Sequence, residues 1–138
     1  ATCSSLTDLP YPDECFDLGI CHGVLDHMTA DVRRLSISEI TRTLKPQAKV
    51  LISLISEKDS TFGEGIKIES NTWRVVSGYE EGLPQAFFDE QILKEELINF
   101  ELLTIVEVVN QTIFGRSLIG TDKHYDTDAR FYIVAQKK

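Results

Sequence analysis

The chain has 138 residues, of which 42% are hydrophobic, 26% charged and 9% aromatic, and these proportions are those of one globular domain rather than a disordered or fibrous protein. Its formal net charge of −8 opposes contact with phosphate backbones, so no nucleic acid partner is expected. No apolar run approaches the roughly 20 residues that span a bilayer, and no signal segment opens the chain. We therefore expect no membrane association and a cytoplasmic location.

The three cysteines, Cys3, Cys15 and Cys21, are odd in number and lack the paired spacing of a disulfide framework or a zinc site. Cys21 is followed by His22, and such a pair can ligate a metal or form an activated nucleophile. No second Cys/His pair is visible, so burial at the end of a strand is the favoured interpretation. We expect reduced thiols and no metal site.

The first half of the chain predicts a strand, a helix and a second strand. Residues 17–21 are a short apolar run after a segment of turn formers, which indicates a loop leading into a buried strand. Apolar residues then recur at helical spacing across residues 32–44, with Thr29 or Asp31 as N-cap. Five of the eight residues in 49–56 are apolar and leave almost no polar side, as in a strand buried on both faces. This order implies a right-handed parallel crossover.

The second half begins with residues 57–86, which show no clear periodicity. A segment of this length is too long to be a plain loop between two elements. Asp89 fits the N-cap of a second helix that runs to about Asn99. Residues 102–109 and 130–135 are rich in β-branched and aromatic side chains, which favours strands. We expect these last two strands to pair antiparallel.

Three strings in a fixed order carry a family resemblance: LPYPDECFDLGICHGVLDHM (residues 9–28), then EITRTLKP, then KVLISLIS. They resemble the second half of class I S-adenosylmethionine (SAM)-dependent methyltransferases. GLPQAFFDEQILKEELINFELLTI (residues 82–105) is similar to the stretch leading into the last crossover helix of that family. The resemblance implies an α/β fold, the C-terminal half of a Rossmann-like methyltransferase sheet, with strands in the order 4-5-7-6, the last strand antiparallel, and two main helices. Residues 1–138 would be a partial methyltransferase domain, from strand 4 to strand 7.

By the same resemblance, three strands, a glycine-rich turn and an acidic ribose ligand would precede Ala1. The chain is therefore expected to be a fragment, or the ordered remainder, of a longer protein, and a natural half-domain partnered by another polypeptide is the less favoured alternative. In the family order the strand at residues 17–21 lies between two others, so here it would present an open apolar edge. We expect either association through this strand-4 edge or a chain of marginal stability.

The resemblance also implies a cofactor, SAM, with S-adenosylhomocysteine as product. Ser5 and Leu6 occupy the turn that contacts adenine in the family. Ser5 replaces the family's carboxylate, which leaves a hydroxyl hydrogen bond or a backbone contact, and a plain surface turn is the alternative. Cys21, His22 and Gly23 follow the fourth strand, where the family places contacts to the methionyl group.

Methyl transfer is a displacement at a carbon on sulfur, so the enzyme mainly aligns the nucleophile and excludes water. A hydroxyl acceptor would benefit from a base, and His22, Asp26 or His27 could serve, whereas a thiol or amine needs none. His22 could equally hydrogen-bond the chain, and His27 is favoured as a packed structural residue. The sequence does not choose between these acceptors.

An apolar pocket for a small-molecule methyl acceptor could be lined by Trp73, Tyr79, Phe87 and Phe88. Residues 111–128 could fold over that pocket as a lid. Core packing is the alternative, and it is favoured for Phe87 and Phe88. The candidate acceptor-binding residues are Trp73, Tyr79, His124 and Tyr125.

Two rival functions accompany the small-molecule methyltransferase. A noncatalytic or degenerate methyltransferase-like domain used for protein binding would suit Ser5 and the absent half. A nucleotide-binding oxidoreductase is disfavoured because the glycine fingerprint is absent.

The first helix is followed by Lys45-Pro46-Gln47-Ala48, where the family has Lys-Pro-Gly-Gly. A left-handed residue other than glycine in this turn would cost about 1 kcal/mol. We therefore expect a turn of different shape.

Overall fold

The structure is a computed structural model that describes residues 3–114 and 124–138, with side chains described for residues 3–111 and 127–138. It contains two β-sheets, two α-helices and one short 3-10 helix in that part of the chain. In chain order the elements are β1 (Phe16–His22), the 3-10 helix (Leu25–His27), α1 (Ala30–Thr43), β2 (Leu44–Ile55), β3 (Ile66–Glu69), β4 (Thr72–Arg74), β5 (Pro84–Ala86), α2 (Glu90–Glu96), β6 (Phe100–Phe114) and β7 (His124–Lys137).

The main sheet has four strands in the order β1-β2-β7-β6. β1 and β2 are parallel, with α1 as their crossover, and β7 runs antiparallel to both of its neighbours. The mixed α/β class is therefore confirmed, and so is the antiparallel pairing of the last two strands. Within the described residues β2 is the only strand that pairs with β1, so the other edge of β1 is open.

The two helices cover one face of this sheet. Alternate residues of β2 point into a core that also contains side chains of α1, α2 and β7; its members include Ile37, Ile40, Val50, Ile52, Leu54, Leu93, Leu97 and Ile133. Directly paired residues of a sheet point to the same face, so Ile20 and its partner Leu51 lie together on the opposite face. That face is apolar and exposed, with Leu18 at 63% and Ile20 at 70% of full accessibility.

One buried arginine joins the two helices. Arg33 of α1 donates to the backbone oxygen of Met28 at 2.9 Å and to Oε1 of Glu96 at 2.7 Å. Its guanidinium carbon lies 5.1 Å from the centre of the Phe88 ring. Because the side chain is almost wholly buried, these contacts are what compensates its charge.

Helix α1 begins after Thr29, as one of the two N-cap alternatives has it, but the Thr29 side chain makes no capping bond. Instead Oε2 of Glu69, at the end of β3, accepts from the backbone N–H of Ala30 at 2.9 Å. A carboxylate at a helix N-terminus is favourable because the first N–H groups have no partner within the helix. The small sheet therefore caps the helix of the main sheet.

The turn after α1 contradicts the expectation of a changed shape. Gln47 keeps a left-handed conformation, with φ of 65°, and its side chain hydrogen-bonds Gln136 of β7. β2 begins at Leu44 rather than near residue 49, so the helix passes directly into the strand. The side-chain bond to Gln136 offsets part of the strain, about 1 kcal/mol.

Residues 57–86, for which no elements were predicted, contain the small antiparallel sheet, in the order β3-β4-β5. Its Trp73 packs with Ile55 and Phe87 in a second apolar cluster. Strands of three or four residues carry too little alternation for a pattern to be recognised.

The Asp89 N-cap is confirmed, since its Oδ1 accepts from the backbone N–H of Ile92 at 2.7 Å. The helix ends at Glu96, three residues before the predicted end. The final strands extend beyond residues 102–109 and 130–135 because the hairpin ladder continues at both ends. Neither α1 nor α2, nor the short 3-10 helix between β1 and α1, is long and apolar enough to cross a membrane.

Candidate functional site

The candidate site lies where β1 and β2 end at the same edge of the main sheet. His22 of β1 pairs directly with Ser53 of β2. Gly23 follows β1 with φ of 61°, and its backbone N–H donates to Ser53 Oγ at 3.0 Å. Cys21, His22 and Gly23 therefore all come to the carboxyl edge of the parallel pair, the edge where ligands bind in open α/β sheets.

The His22 side chain is exposed, and one of its two ring nitrogens is hydrogen-bonded. Its Nδ1 lies 2.7 Å from Ser53 Oγ, and its ring stacks on Tyr132 of β7 with the ring centres 6.2 Å apart and the planes 19° apart. Tyr132 is the direct partner of Ser53 on the next strand. The three side chains therefore form a polar row, His22-Ser53-Tyr132, across three adjacent strands.

Asp26 lies beside this row but is fully buried. Its Oδ2 accepts from the backbone N–H of Ile55 at 3.2 Å and from Nη1 of Arg130 at 2.9 Å. The same Nη1 lies 3.5 Å from Ser53 Oγ. Asp26 Oδ1 is buried with no hydrogen-bond partner among the described residues. Asp26 and Arg130 thus form a charged pair that lies next to the polar row and contacts it through Arg130 Nη1 and Ser53 Oγ.

His27 belongs to a different environment from His22. Its Nε2 is 3.7 Å from Oε1 of Glu80, and its Nδ1 is buried without a partner among the described residues. Among the described residues, no hydrogen bond joins His27 to His22 or Asp26. Of the three candidate bases, the structure brings His22 and Asp26 to one network and leaves His27 outside it.

Cys21 is a buried free thiol. Burial raises its pKa to about 11, and the neighbouring Asp26 carboxylate adds to that effect. A thiol with a raised pKa carries little thiolate at neutral pH, which disfavours the activated-nucleophile interpretation. In residues 3–114 and 124–138 no group of three His, Cys, Asp or Glu side chains is arranged to hold a metal ion.

Ser5 and Leu6 form part of a turn ahead of β1. Ser5 is exposed and its Oγ bonds Thr7 Oγ1 at 2.8 Å, whereas Leu6 is half-buried against the main core. An open apolar cleft of about 400 Å³ runs along the free edge of β1, and Leu6, Cys21 and Val24 lie on its wall. The cleft therefore brings one predicted adenine contact beside one predicted methionyl contact.

The candidate acceptor-binding aromatics separate in the structure. Trp73 is buried, packing edge-on against Phe62 at 5.1 Å and Phe87 at 5.7 Å. Tyr79 is 97% exposed and lies on the wall of a small pocket of about 220 Å³. Phe87 and its neighbour Phe88 are buried, which confirms their favoured assignment to the core.

The remaining predictions for the acceptor site concern residues 111–128. His124 and Tyr125 lie on the backbone of β7, but their side chains fall outside the described residues. So does most of the predicted lid.

Three residues of this site, Ser53, Arg130 and Tyr132, were not predicted as site residues. Ser53 interrupts an otherwise apolar run, and a polar residue inside a buried strand is a signal that was available. Arg130 and Tyr132 belong to a strand that was predicted, but only the register between β2 and β7 brings them beside His22.

Comparisons with known proteins agree with this architecture. Residues 1–52, which contain β1, α1 and most of β2, match the methyltransferase domain family. A SAM-dependent methyltransferase from Methanosarcina mazei has the same fold over 97% of this chain and 65% of its own, with a TM-score of 0.71 at 19% identity. This chain has the class I methyltransferase fold.

Two further structures share the methyltransferase fold. A SAM-dependent methyltransferase from Thermotoga maritima matches 98% of this chain and 62% of its own, with a TM-score of 0.60 at 16% identity. The 1,6-didemethyltoxoflavin-N1-methyltransferase of Burkholderia thailandensis, solved with 1,6-didemethyltoxoflavin and S-adenosylhomocysteine bound, matches 96% of this chain and 48% of its own, with a TM-score of 0.60 at 16% identity. The chain thus spans less than two thirds of each of these relatives. No curated protein sequence matches it.

Proposed function

We propose that this protein is a SAM-dependent methyltransferase acting on a small molecule. This chain would supply the residues around the adenine and methionyl groups of the cofactor and those next to the methyl acceptor. The methyltransferase family match over residues 1–52 supports this function. So does the likeness in fold to an enzyme solved with S-adenosylhomocysteine and a small acceptor. In the family's numbering, β1, β2, β6 and β7 would be strands 4 to 7.

The residues at the carboxyl edge of β1 fit such a cofactor. Gly23 has left-handed backbone geometry, and an added Cβ would meet nothing nearer than Arg130 Nη1 at 3.9 Å. This leaves room for a ligand to approach the backbone closely. Leu6, Cys21 and Val24 offer an apolar wall next to it, which suits one face of an adenine ring.

The cofactor supplies a methyl group on a positively charged sulfur. The chain's own residues would bind the cofactor, orient the methyl acceptor and exclude water from the site. Gly23 and its neighbours would hold the methionyl part, Leu6 would pack on adenine, and the polar row with His22 would orient the acceptor for in-line attack. The Asp26-Arg130 pair would keep the row in place, because its charges compensate each other.

The observation that carries this proposal is Gly23 with its left-handed backbone at the carboxyl edge of a parallel strand. In calorimetric titration of the full-length natural protein with S-adenosylhomocysteine, we expect binding. Replacing Gly23 with Ala should weaken that binding by about tenfold or more, since the added methyl group occupies space needed for close backbone approach.

Gly63→Ala is the matched control. Gly63 has φ of 83° and open space around it, so the substitution introduces a similar backbone strain away from the edge of β1. Its affinity for S-adenosylhomocysteine should equal that of the wild type. Absence of binding to the wild-type protein would contradict the proposal and favour the degenerate, protein-binding alternative.

We also propose that residues 1–138, when produced alone, associate with each other through the free edge of β1. This edge combines backbone groups that pair with no other strand of the described residues with the exposed side chains of Leu18 and Ile20, and an apolar strand edge of this kind pairs readily with another chain. In a protein consisting of residues 1–138 alone, we expect this edge to cause self-association.

Sedimentation velocity tests this expectation. Residues 1–138 should sediment as dimers or larger species at micromolar concentration, and Ile20→Lys should shift them towards the monomer because a charge at a strand edge opposes pairing. Leu35→Lys is the control, since Leu35 is a similarly exposed leucine on α1, away from the edge. A wild-type chain that remains a stable monomer would contradict the proposal.

A further inference from the structure

We propose that Ser53 is a positioning residue that holds neutral His22 in the tautomer with its proton on Nε2. His22 would then present an N–H donor to the methyl acceptor and would not act as its base. The part of this inference that concerns the acceptor rests on the proposed methyltransferase function, whereas the tautomer itself does not.

The partners of Ser53 Oγ decide the direction of its hydrogen bond to His22. Two of them can only donate: the backbone N–H of Gly23 at 3.0 Å and the guanidinium Nη1 of Arg130 at 3.5 Å. A serine hydroxyl has one proton and two lone pairs. With both lone pairs facing donors, the hydroxyl proton goes to the remaining partner, Nδ1 of His22 at 2.7 Å. In the neutral ring Nδ1 is then the acceptor and Nε2 carries the proton.

The fold keeps the hydrogen bond between Ser53 and His22 in place. Ser53 is almost completely buried, so water cannot readily take over as a partner for its hydroxyl group. The β1-β2 ladder places His22 and Ser53 directly opposite each other, and Tyr132 stacks on the imidazole ring. Leaving the hydroxyl proton without an acceptor in such a buried position would be unfavourable.

Nε2 of His22 makes no hydrogen bond to the described residues, and the ring is exposed. An Nε2–H group on the exposed side of the ring suits a methyl-accepting substrate whose oxygen or ring nitrogen can accept a hydrogen bond there. It also favours a nucleophile that attacks without prior loss of a proton, such as an amine or a ring nitrogen. The lone pair of the nucleophile would form the bond to the methyl carbon while the carbon–sulfur bond breaks, the sulfur would keep that electron pair, and an amine product would afterwards release a proton to water.

Two-bond 1H–15N correlation spectra of the protein labelled with 15N-histidine measure the tautomer directly. The chain has three histidines, and a His22→Gln variant identifies the His22 signals. At a pH where the ring is neutral, the Nδ1–H form of His22 should be about fivefold less populated in the folded protein than in the same protein unfolded in urea, as expected for one hydrogen bond.

Variants separate Ser53 from its surroundings. Ser53→Ala should return the tautomer ratio to that of the unfolded protein, while Ser53→Thr, which keeps the hydroxyl group, should retain the wild-type ratio. Tyr132→Phe keeps the ring and should leave the ratio unchanged. If Ser53→Ala does not fold, the wild-type ratio against the urea-unfolded reference decides the matter.

A folded protein with the unfolded ratio, or with Nδ1–H dominant, would overturn the inference, as would a Ser53→Ala variant that keeps the wild-type ratio. The spectra need neither cofactor nor acceptor, so they can succeed where the titration with S-adenosylhomocysteine fails. That combination would reject the proposed function and retain the role of Ser53.

Discussion

Replacing Arg33 with Ala should lower the free energy of unfolding by about 3 kcal/mol or more, since breaking a buried ion pair leaves a partner charge uncompensated. Arg33 joins α1 to Glu96 of α2 and to the backbone oxygen of Met28. Removing it also deletes the packing of its guanidinium group on Phe88. Urea denaturation followed by circular dichroism measures the change.

Arg34→Ala is the matched control for this variant. Arg34 follows Arg33 on the same helix, is 76% exposed, and pairs with Asp31 on the surface, so its loss should change stability by no more than about 0.5 kcal/mol. A double variant, Arg33→Met with Glu96→Gln, should recover much of the loss because it removes both charges together. An Arg33→Ala variant as stable as Arg34→Ala would show that the buried pair does not stabilise the fold.

Replacing Asp26 with Ala should lower the free energy of unfolding by about 3 kcal/mol. The carboxylate accepts from the backbone N–H of Ile55 and from Arg130, and the side chain is fully buried. Its removal leaves a buried donor unsatisfied and a guanidinium group without its counter-charge. Since Arg130 is partly exposed, solvent compensates some of that charge, which places the effect at the lower end of the range for buried pairs.

Asp17→Ala provides the comparison for Asp26. Asp17 is on β1 and pairs with Lys45, but its side chain is 82% exposed, so the expected change is within about 0.5 kcal/mol. In a double-mutant cycle, Asp26→Ala and Arg130→Ala should couple by at least about 1 kcal/mol, since the two groups share one hydrogen bond. Additive effects of the two substitutions would contradict the pairing.

The elements that could be predicted are those with long, regular patterns. The stripe in α1, the apolar run of β2 and the Asp89 cap of α2 are local signals, because each depends on residues within a few positions of one another. The short strands β3 to β5 have no such signal. Their formation depends on Trp73 and Phe87 packing against Ile55, which is a tertiary effect.

The site was predictable in part for the same reason. An apolar run that ends at Cys21 and is followed by His22-Gly23, together with the family resemblance, indicates residues at the end of a parallel strand. The partners of His22 could not be found in this way. Ser53 and Tyr132 lie far along the chain from it, and only the registers β1-β2 and β2-β7 align the three.

By itself, the sequence determined the α/β class, the order of the principal elements, the position of His22 and Gly23 at a strand end, and the resemblance to methyltransferases. All of these follow from local periodicity, turn chemistry and short strings. Only the tertiary structure decided that Asp26 is buried against Arg130, and that Ser53 faces two donors and one imidazole nitrogen. The reason is physical: a hydrogen bond depends on a few tenths of an ångström and on which neighbours are donors, and the folded ladder sets both, not the spacing along the chain.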